Sequence, residues 1–325
     1  MRGKDINKIA QLIDLCKTET PSEADIRFNE PMSDHTTFKV GGNADCFVSP
    51  CGDGFITFCV NLLNRAEEAA VPVFVLGGGA NIVVSDKGIR GIVLDMSAWT
   101  GETAGALREE EELVFKSGTG IDEAVNTAAC AGLCGFEFLA GMPGTIGGAV
   151  WMNARCYGKE MADVLKWAEI ACRGAGNKYV IKKFEVGDGS GFDYKLSPFQ
   201  KMDCLILSAA FKLKKDDISK TLNEMEKNRK DRLDKGHYLF PCAGSAFKNN
   251  RDFGKPAGQI IDELGLKGLK IGGAQVAAFH GNFIINTGYA CASDIRALAD
   301  EVAARVKSAA GFTLETEILF VGEWQ

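Results

Sequence analysis

The chain has 325 residues, 46% of them hydrophobic, enough to bury the cores of two or three domains. Lys and Arg number 37 against 43 Asp and Glu, so the net charge of -6 offers no general attraction to nucleic acid or to anionic membrane surfaces. No apolar run approaches the roughly 20 residues of a membrane span, and the charged start is not a cleavable leader, so the sequence reads as a cytoplasmic protein.

Its 11 cysteines are scattered without a Cys-x-x-Cys pair, and an odd count argues against a complete disulfide framework. Most are expected to be reduced, buried, small apolar residues. Cys130 and Cys134 lie one helical turn apart, but with three histidines in the whole chain no metal site is expected.

Ile6, Ile9, Ile13 and Cys16 recur at helical spacing and predict a first helix ending near Lys17. Residues 21–34 read as an irregular lead-in, and residues 35–49 as strand and turn segments. An α/β pattern then begins. A helix over residues 56–70 leads to Val71-Pro72-Val73-Phe74-Val75-Leu76, an apolar run that halts at three glycines and reads as a buried strand. Strands follow over residues 82–85 and 91–96. The four acids of residues 109–112 read as a solvated turn; strand resumes at 113–116. Residues 121–131 form a helix with Ile121, Val125, Ala128 and Ala129 inward and Gly132 as its stop.

Strands over residues 167–172, 178–184 and 204–213 close this region. A charged, mostly exposed helix over residues 216–234 marks the boundary to a carboxy-terminal domain. There a helix near residues 257–264 and strands over 275–279 and 283–286 precede a long helix capped by Ser293. Its Ile295, Leu298, Val302 and Val306 form a buried stripe. A final strand covers residues 314–321. No internal repeat interrupts this order.

Two glycine-rich loops stand out. Gly77-Gly78-Gly79-Ala80-Asn81 follows a strand directly, and Gly141-Met142-Pro143-Gly144-Thr145-Ile146-Gly147-Gly148 places four glycines in eight residues. Neither is a Rossmann fingerprint or a P-loop, and each alone reads more readily as a tight turn with positive φ than as a phosphate site. Ser117-Gly118-Thr119-Gly120, also after a strand, makes three such loops, and small residues let backbone approach the phosphates of an extended cofactor laid across several strand ends.

The run from Leu76 to Asn81, the segment Leu139-Ala-Gly-Met-Pro-Gly-Thr-Ile-Gly-Gly-Ala149 and Met152-Asn153-Ala154 resemble, in order and spacing, the UDP-N-acetylenolpyruvoylglucosamine reductases. Similarity runs from about residue 35 to residue 322, through Phe192-Asp-Tyr194, Pro241-Cys-Ala-Gly-Ser-Ala-Phe-Lys-Asn249, Ala257-Gly-Gln-Ile-Ile261, Gly265-Leu-Lys-Gly268 and Ile271-Gly-Gly273. The resemblance implies an α+β chain with a lead-in over residues 1–34. A flavin-binding domain of the vanillyl-alcohol-oxidase (PCMH) type would span residues 35–213, in two α/β subdomains over about 35–98 and 99–213. A substrate-binding domain would span residues 214–325. It implies non-covalent FAD, NADPH as hydride donor, and UDP-N-acetylglucosamine enolpyruvate as the substrate of a monomer. No ribose-binding acid or 2′-phosphate arginine motif selects between NADPH and NADH.

Residue by residue, the resemblance assigns flavin contacts to Leu76, Gly77, Gly78, Gly79, Ala80, Asn81, Ile82, Gly118, Gly120, Gly141, Pro143, Gly144, Thr145, Gly147 and Gly148. Hydride added to the enolpyruvyl methylene carbon pushes charge into the carboxylate as an enolate, which asks for a facing cation and a proton for the neighbouring carbon. Ser245 matches the family's proton donor and Glu317 its second essential group. Glu315 is chemically equivalent on the same expected strand, and alignment to Gly322 selects Glu317. Lys235 and Asn249 match substrate contacts, Tyr194 is assigned to the substrate with them, and Arg232 reads either as a bidentate partner for a diphosphate or as one more charge on an exposed helix.

The chain departs from the family in several places. Lys195 stands where an Arg is usual, keeping the charge but losing the planar fork. Arg155 occupies a usual glycine, Leu319 a usual Arg, and His237 follows where a proline is common. His35 and His280 read as structural imidazoles. The short stretch from Leu213 to Arg232 resembles the family class without an inserted aromatic lid. An oxidase of the same flavin superfamily and a non-catalytic sugar-nucleotide binder are the competing readings.

Overall fold

Helix Gly3–Glu19 buries Ile9, Leu12, Ile13 and Cys16, and helix Phe55–Glu68 buries Phe55, Phe58, Cys59, Leu62, Leu63 and Ala66. Both stripes repeat every three or four residues, the spacing that puts side chains on one helical face. In the computed structural model, which describes residues 3–20, 23–101 and 112–324, the chain forms two compact units. One comprises Met1–Phe28, Asp45–Gly78 and Gly91–Arg229; the other comprises Asn29–Ala44, Gly79–Arg90 and Lys230–Gln325. Residues 109–111 of the acidic run lie outside the described residues.

The first unit carries two four-stranded sheets. In one the strand order is Glu23–Pro31, Asn43–Cys51, Ile89–Asp95 and Val73–Leu76, the last two parallel with Val73 opposite Ile92 and Leu76 opposite Asp95. The strand Glu23–Pro31 corrects the irregular lead-in expected there. Its sequence, Glu-Ala-Asp-Ile-Arg-Phe-Asn-Glu-Pro, is too polar to announce a strand, and it forms because it lies at the sheet edge beside Asn43–Cys51. Val73–Leu76 is the opposite edge strand, so it is not buried as its composition suggested: only Leu76 is inside, and Val75 is 38% exposed.

The other sheet of this unit is antiparallel, in the order Tyr179–Glu185, Leu165–Arg173, Cys204–Lys212 and Glu112–Lys116. Its inner face meets helix Ile121–Cys130, whose Ile121, Ala124, Val125, Ala128 and Ala129 are buried, and helix Ile146–Met152. Phe115, Phe136 and Phe211 meet at centroid distances of 4.9 to 6.3 Å, so this core is anchored by aromatic edges. Helix Ile218–Asp234 is mostly exposed, as its charge predicts. Within this unit Thr221, Met225 and Asn228 form its buried positions, and Asn228 Nδ2 donates to the Glu137 carbonyl at 2.8 Å.

The second unit is built on helix Ala292–Ala310, which buries Ile295, Leu298, Val302 and Val306 against the antiparallel strands Lys270–Ile271, Ala274–Val276 and Ile284–Asn286. The cap of that helix is Cys291, not Ser293. Asp86 accepts from the Ala292 and Ser293 amides at 2.7 and 2.9 Å, and Asp294 accepts from the Cys291 amide at 3.1 Å. The last strand is shorter than expected: Leu319–Val321 runs parallel to Ile82–Val84, while residues 314–318 are irregular apart from a bridge at Thr316.

Only Cys16, Cys46, Cys59 and Cys172 are buried; the other cysteines are partly or fully exposed, which corrects the expectation that most would be core residues. Burial pushes the Cys16 thiol up to about 11. Among the described residues no helix is long and apolar enough to cross a membrane, and no cluster of three His, Cys, Asp or Glu could hold a metal ion.

Candidate active site

In the first unit the glycine loops meet in close contact. Thr145 Oγ1 lies 2.7 Å from where a Cβ on Gly77 would sit, Gly144 Cα lies 2.6 Å from one on Gly78, and Ser117 Cβ 2.7 Å from one on Gly147. Separations under 3 Å are closer than real Cβ contacts, so a side chain at any of these positions would force the facing loop to shift. The loops are cross-linked by main chain: Ile121 N donates to Gly144 O at 3.1 Å, Ile146 N to Thr119 O at 2.9 Å, and Gly147 N to Ser117 O at 2.7 Å. Gly120 bridges Thr145.

Several glycine amides are therefore committed to holding the turns. Gly118 N donates to Trp99 O at 2.9 Å, Gly141 N to Asp122 Oδ1 at 2.8 Å, and Gly148 N to the capping Thr145 Oγ1 at 3.4 Å. The tight-turn and cofactor readings of these loops are thus compatible, because the turns are what produce a wall without side chains. Ser117 is the residue that sequence reasoning did not single out. Its hydroxyl is buried with no hydrogen-bond partner among the described residues, at the junction with Gly147. A bare backbone wall with an unsatisfied buried hydroxyl fits a phosphate-rich cofactor such as FAD. Pro143 stiffens the same turn.

The Tyr194-Lys195 turn also belongs to this unit. Asp193 and Leu196 exchange both backbone hydrogen bonds at 3.0 Å, and Lys195 adopts φ +55 between them. The end of helix Ile146–Met152 grips the turn. Asn153, fully buried at φ +46, donates from Nδ2 to Asp193 O at 2.8 Å and accepts at Oδ1 from Ala162 N at 3.0 Å. Ser197 Oγ and Gln200 Nε2 donate to Trp151 O at 2.6 and 3.0 Å, and Gln200 also donates to Lys195 O at 3.2 Å. Asn153 was quoted in the Met-Asn-Ala motif without a role; Gln200 carries no sequence signal.

In the second unit Ser245 and Glu317 come together. Ser245 pairs with Phe283 in an antiparallel bridge after Gly244, whose φ is +73, and Phe247 pairs with Thr316. Glu317 N donates to Ala246 O at 2.8 Å, the carbonyl next to Ser245. Asn81 Nδ2 donates to Glu317 O at 3.0 Å, so Gly79, Ala80, Asn81 and Ile82 reach this group through Asn81 rather than through the glycine. Asn282, buried and unforeseen, accepts from Phe247 N at 2.9 Å and donates to Phe247 O at 2.8 Å, fixing the serine segment.

Glu317 sits in a bend, not on a strand, so it does not share a face with Glu315. Glu315 is exposed and pairs with Lys248 at 3.4 Å, whereas Glu317 is half-buried. Two histidines flank the serine segment, His237 and His280 lying 4.6 and 4.3 Å from the Phe283 ring. Burial, then the charges of Arg232, His280 and Lys235, push His237 down to about 4, leaving a neutral imidazole at neutral pH. His35, by contrast, pairs with Glu30 at 2.8 Å.

The remaining expected substrate contacts are dispersed within this unit. Arg232 is buried, Lys235 is exposed and bonded to Asp231 at 2.7 Å, and Asn249 Oδ1 accepts from the first amide of helix Ala257–Glu263 at 2.8 Å.

A sequence profile described as FAD binding domain matches residues 59–178, and one described as UDP-N-acetylenolpyruvoylglucosamine reductase, C-terminal domain, matches residues 234–321. The chain is 41% identical over 292 residues to the UDP-N-acetylenolpyruvoylglucosamine reductase of Borrelia garinii subsp. bavariensis, covering 90% of this chain and 92% of that protein. This chain belongs to the UDP-N-acetylenolpyruvoylglucosamine reductase family. The Treponema denticola reductase is 39% identical over 314 residues, covering 93% of this chain and 95% of its own. The crystal structure of the Thermus caldophilus enzyme aligns at a TM-score of 0.69 and 32% identity, covering 92% of this chain and 100% of that one. As a member of the reductase family the chain is an FAD-dependent oxidoreductase of peptidoglycan precursor synthesis, with an FAD-binding domain matched over residues 59–178.

Proposed function

We propose that this reductase uses NADPH to convert UDP-N-acetylglucosamine enolpyruvate to UDP-N-acetylmuramate, as a cytoplasmic monomer. The observation that carries the reading is the backbone bond from Glu317 to Ala246, which brings the Glu317 bend beside the Ser245 segment, with Asn81 bonded to the Glu317 carbonyl. FAD, when bound, supplies the hydride, drawn from NADPH and delivered to the enolpyruvyl methylene carbon.

The protein's part is to bind, orient and move a proton. Residues 35–213 contribute the glycine loops as the cofactor wall, and residues 214–325 contribute the sugar-nucleotide contacts Arg232, Lys235 and Asn249, with Tyr194 beside them in role. Lys195 places an ammonium toward the substrate carboxylate, where charge gathers as the carbon–carbon double bond opens. The Ser245 hydroxyl gives its proton to the neighbouring carbon, and the alkoxide left behind recovers one from solvent. A serine is a weak acid, so the transfer depends on the fixed segment Asn282 provides and on the basicity of the enolate. Glu317 orients the reacting end.

Anaerobic titration tests this. The purified protein is expected to be yellow, to bleach with NADPH, and to regain colour when UDP-N-acetylglucosamine enolpyruvate is added. Bleaching without recovery would point to another substrate for the same flavin, and colourless protein with no FAD affinity would remove the reductase reading.

A further inference from the structure

Arg155 opens a small hairpin whose register sets it opposite Glu160. Strands Arg155–Cys156 and Lys159–Glu160 are joined by Tyr157 and Gly158, both at positive φ, +50 and +80, as a two-residue hairpin turn requires. Arg155 and Glu160 are directly opposed, and their side chains pair at 3.2 Å. Glu160 is fixed from the other side too, capping the short helix Met161–Asp163 while its own amide donates to Asp163 Oδ2 at 2.8 Å. The guanidinium so held lies 5.5 Å from the centroid of the Tyr194 ring, within cation–π range. Tyr194 is the neighbour of Lys195 in the two-residue turn that Asn153 and Gln200 clamp from below.

We propose that Arg155 is a positioning residue for the reaction: by pressing on the Tyr194 ring it sets the direction in which the Lys195 ammonium meets an anionic carboxylate substrate. A lysine has four rotatable bonds and no fork, so its aim depends on a fixed turn more than an arginine's would. The Glu160 carboxylate offsets the charge of Arg155, so its contribution is geometric rather than a second cation at the site. This inference rests on the reductase reading of Lys195 given above.

A double-mutant cycle with the FAD-loaded protein tests it. The rate at which UDP-N-acetylglucosamine enolpyruvate reoxidises the reduced protein is compared for wild type, Arg155→Ala, Lys195→Ala and the double variant. Arg155→Ala is expected to slow reoxidation roughly tenfold when Lys195 is present and by less than about twofold when it is absent, because a misaimed group matters only if the group exists. Arg155→Lys, which keeps a cation over the ring, is expected to recover part of the loss. Equal losses in both backgrounds would make Arg155 a structural residue only and overturn the proposal, as would no loss at all. Should Arg155→Ala fail to retain FAD, Glu160→Gln loosens the arginine without removing it and must show the same dependence on Lys195. If wild type itself is not reoxidised by this substrate, the reductase reading fails first; if it is and the cycle shows no coupling, only the role of Arg155 falls.

Discussion

Replacing Gly78 by alanine separates a glycine loop that merely turns from one that must present bare backbone. The new Cβ would stand 2.6 Å from Gly144 Cα, 3.1 Å from its carbonyl carbon and 3.4 Å from Thr145 N. Non-bonded carbons settle at about 3.5–4.0 Å, so the two loops must part by roughly 1 Å, and both atoms that block the way are main chain. Overpacking of this kind costs about 1–3 kcal/mol. Gly78 is outside the left-handed region, so no backbone strain is added. If the cost falls on the arrangement that receives the cofactor, the FAD dissociation constant rises by a factor of roughly 5 to 150. Flavin fluorescence on titrating the apoprotein measures it, with Gly187→Ala as control because nothing lies within 4 Å of its Cβ. A Gly78→Ala protein whose FAD affinity stays within about twofold of wild type would falsify the claim that the cofactor needs these loops in close contact.

Lys195→Ala is expected to lose far more reoxidation rate than Lys195→Arg, since the arginine keeps the charge; equal rates in the two variants would remove Lys195 from the mechanism. Asn153→Ala strands the Ala162 amide, takes one of two bonds from the Asp193 carbonyl, which keeps the one from Leu196 N, and leaves alanine at φ +46, so the thermal midpoint should fall by roughly 5–10 °C, with Asn153→Gly falling less because glycine accepts that φ. Equal midpoints for the two would show that backbone strain is not part of the cost. The pH dependence follows from His237, held near 4 in the folded chain against an ordinary 6.5. The unfolded chain takes the proton first as pH falls, so the stability from this group is complete above about 6.5 and is lost between there and 4, at up to about 1.4 kcal/mol per pH unit. Urea midpoints at pH 7.5 and 5 should therefore converge in His237→Gln relative to wild type, and an unchanged difference would contradict the assignment. Burial raises the Cys59 thiol beyond ordinary reach and the Cys46 thiol to about 12, so iodoacetamide at pH 8 should label exposed Cys130 and Cys291 well before either.

The amphipathic helices were legible in the sequence because a helical stripe is a local pattern: Ile295, Leu298, Val302 and Val306 announce their own face, as do Ile9, Ile13 and Cys16. The glycine loops were legible through their co-occurrence, three glycine-rich turns of which two directly follow a strand, although any one of them alone read as a tight turn. The family motifs fixed the reductase assignment without any coordinates. What the sequence could not determine depended on partners far along the chain. Glu23–Pro31 is a strand because Asn43–Cys51 lies beside it, and Val73–Leu76 is half-exposed because among the described residues it is the edge of its sheet. The cap of the last long helix is completed by Asp86, more than 200 residues away, so no reading of the residues around Ser293 could have found it. Glu317 was separated from Glu315 by a bend that its amide bond to Ala246 and the Asn81 staple impose, and Asn282 acquired its role from the Phe247 backbone it spans. Local periodicity sets which residues can form an element; hydrogen bonds between distant segments decide where that element ends and what its side chains face.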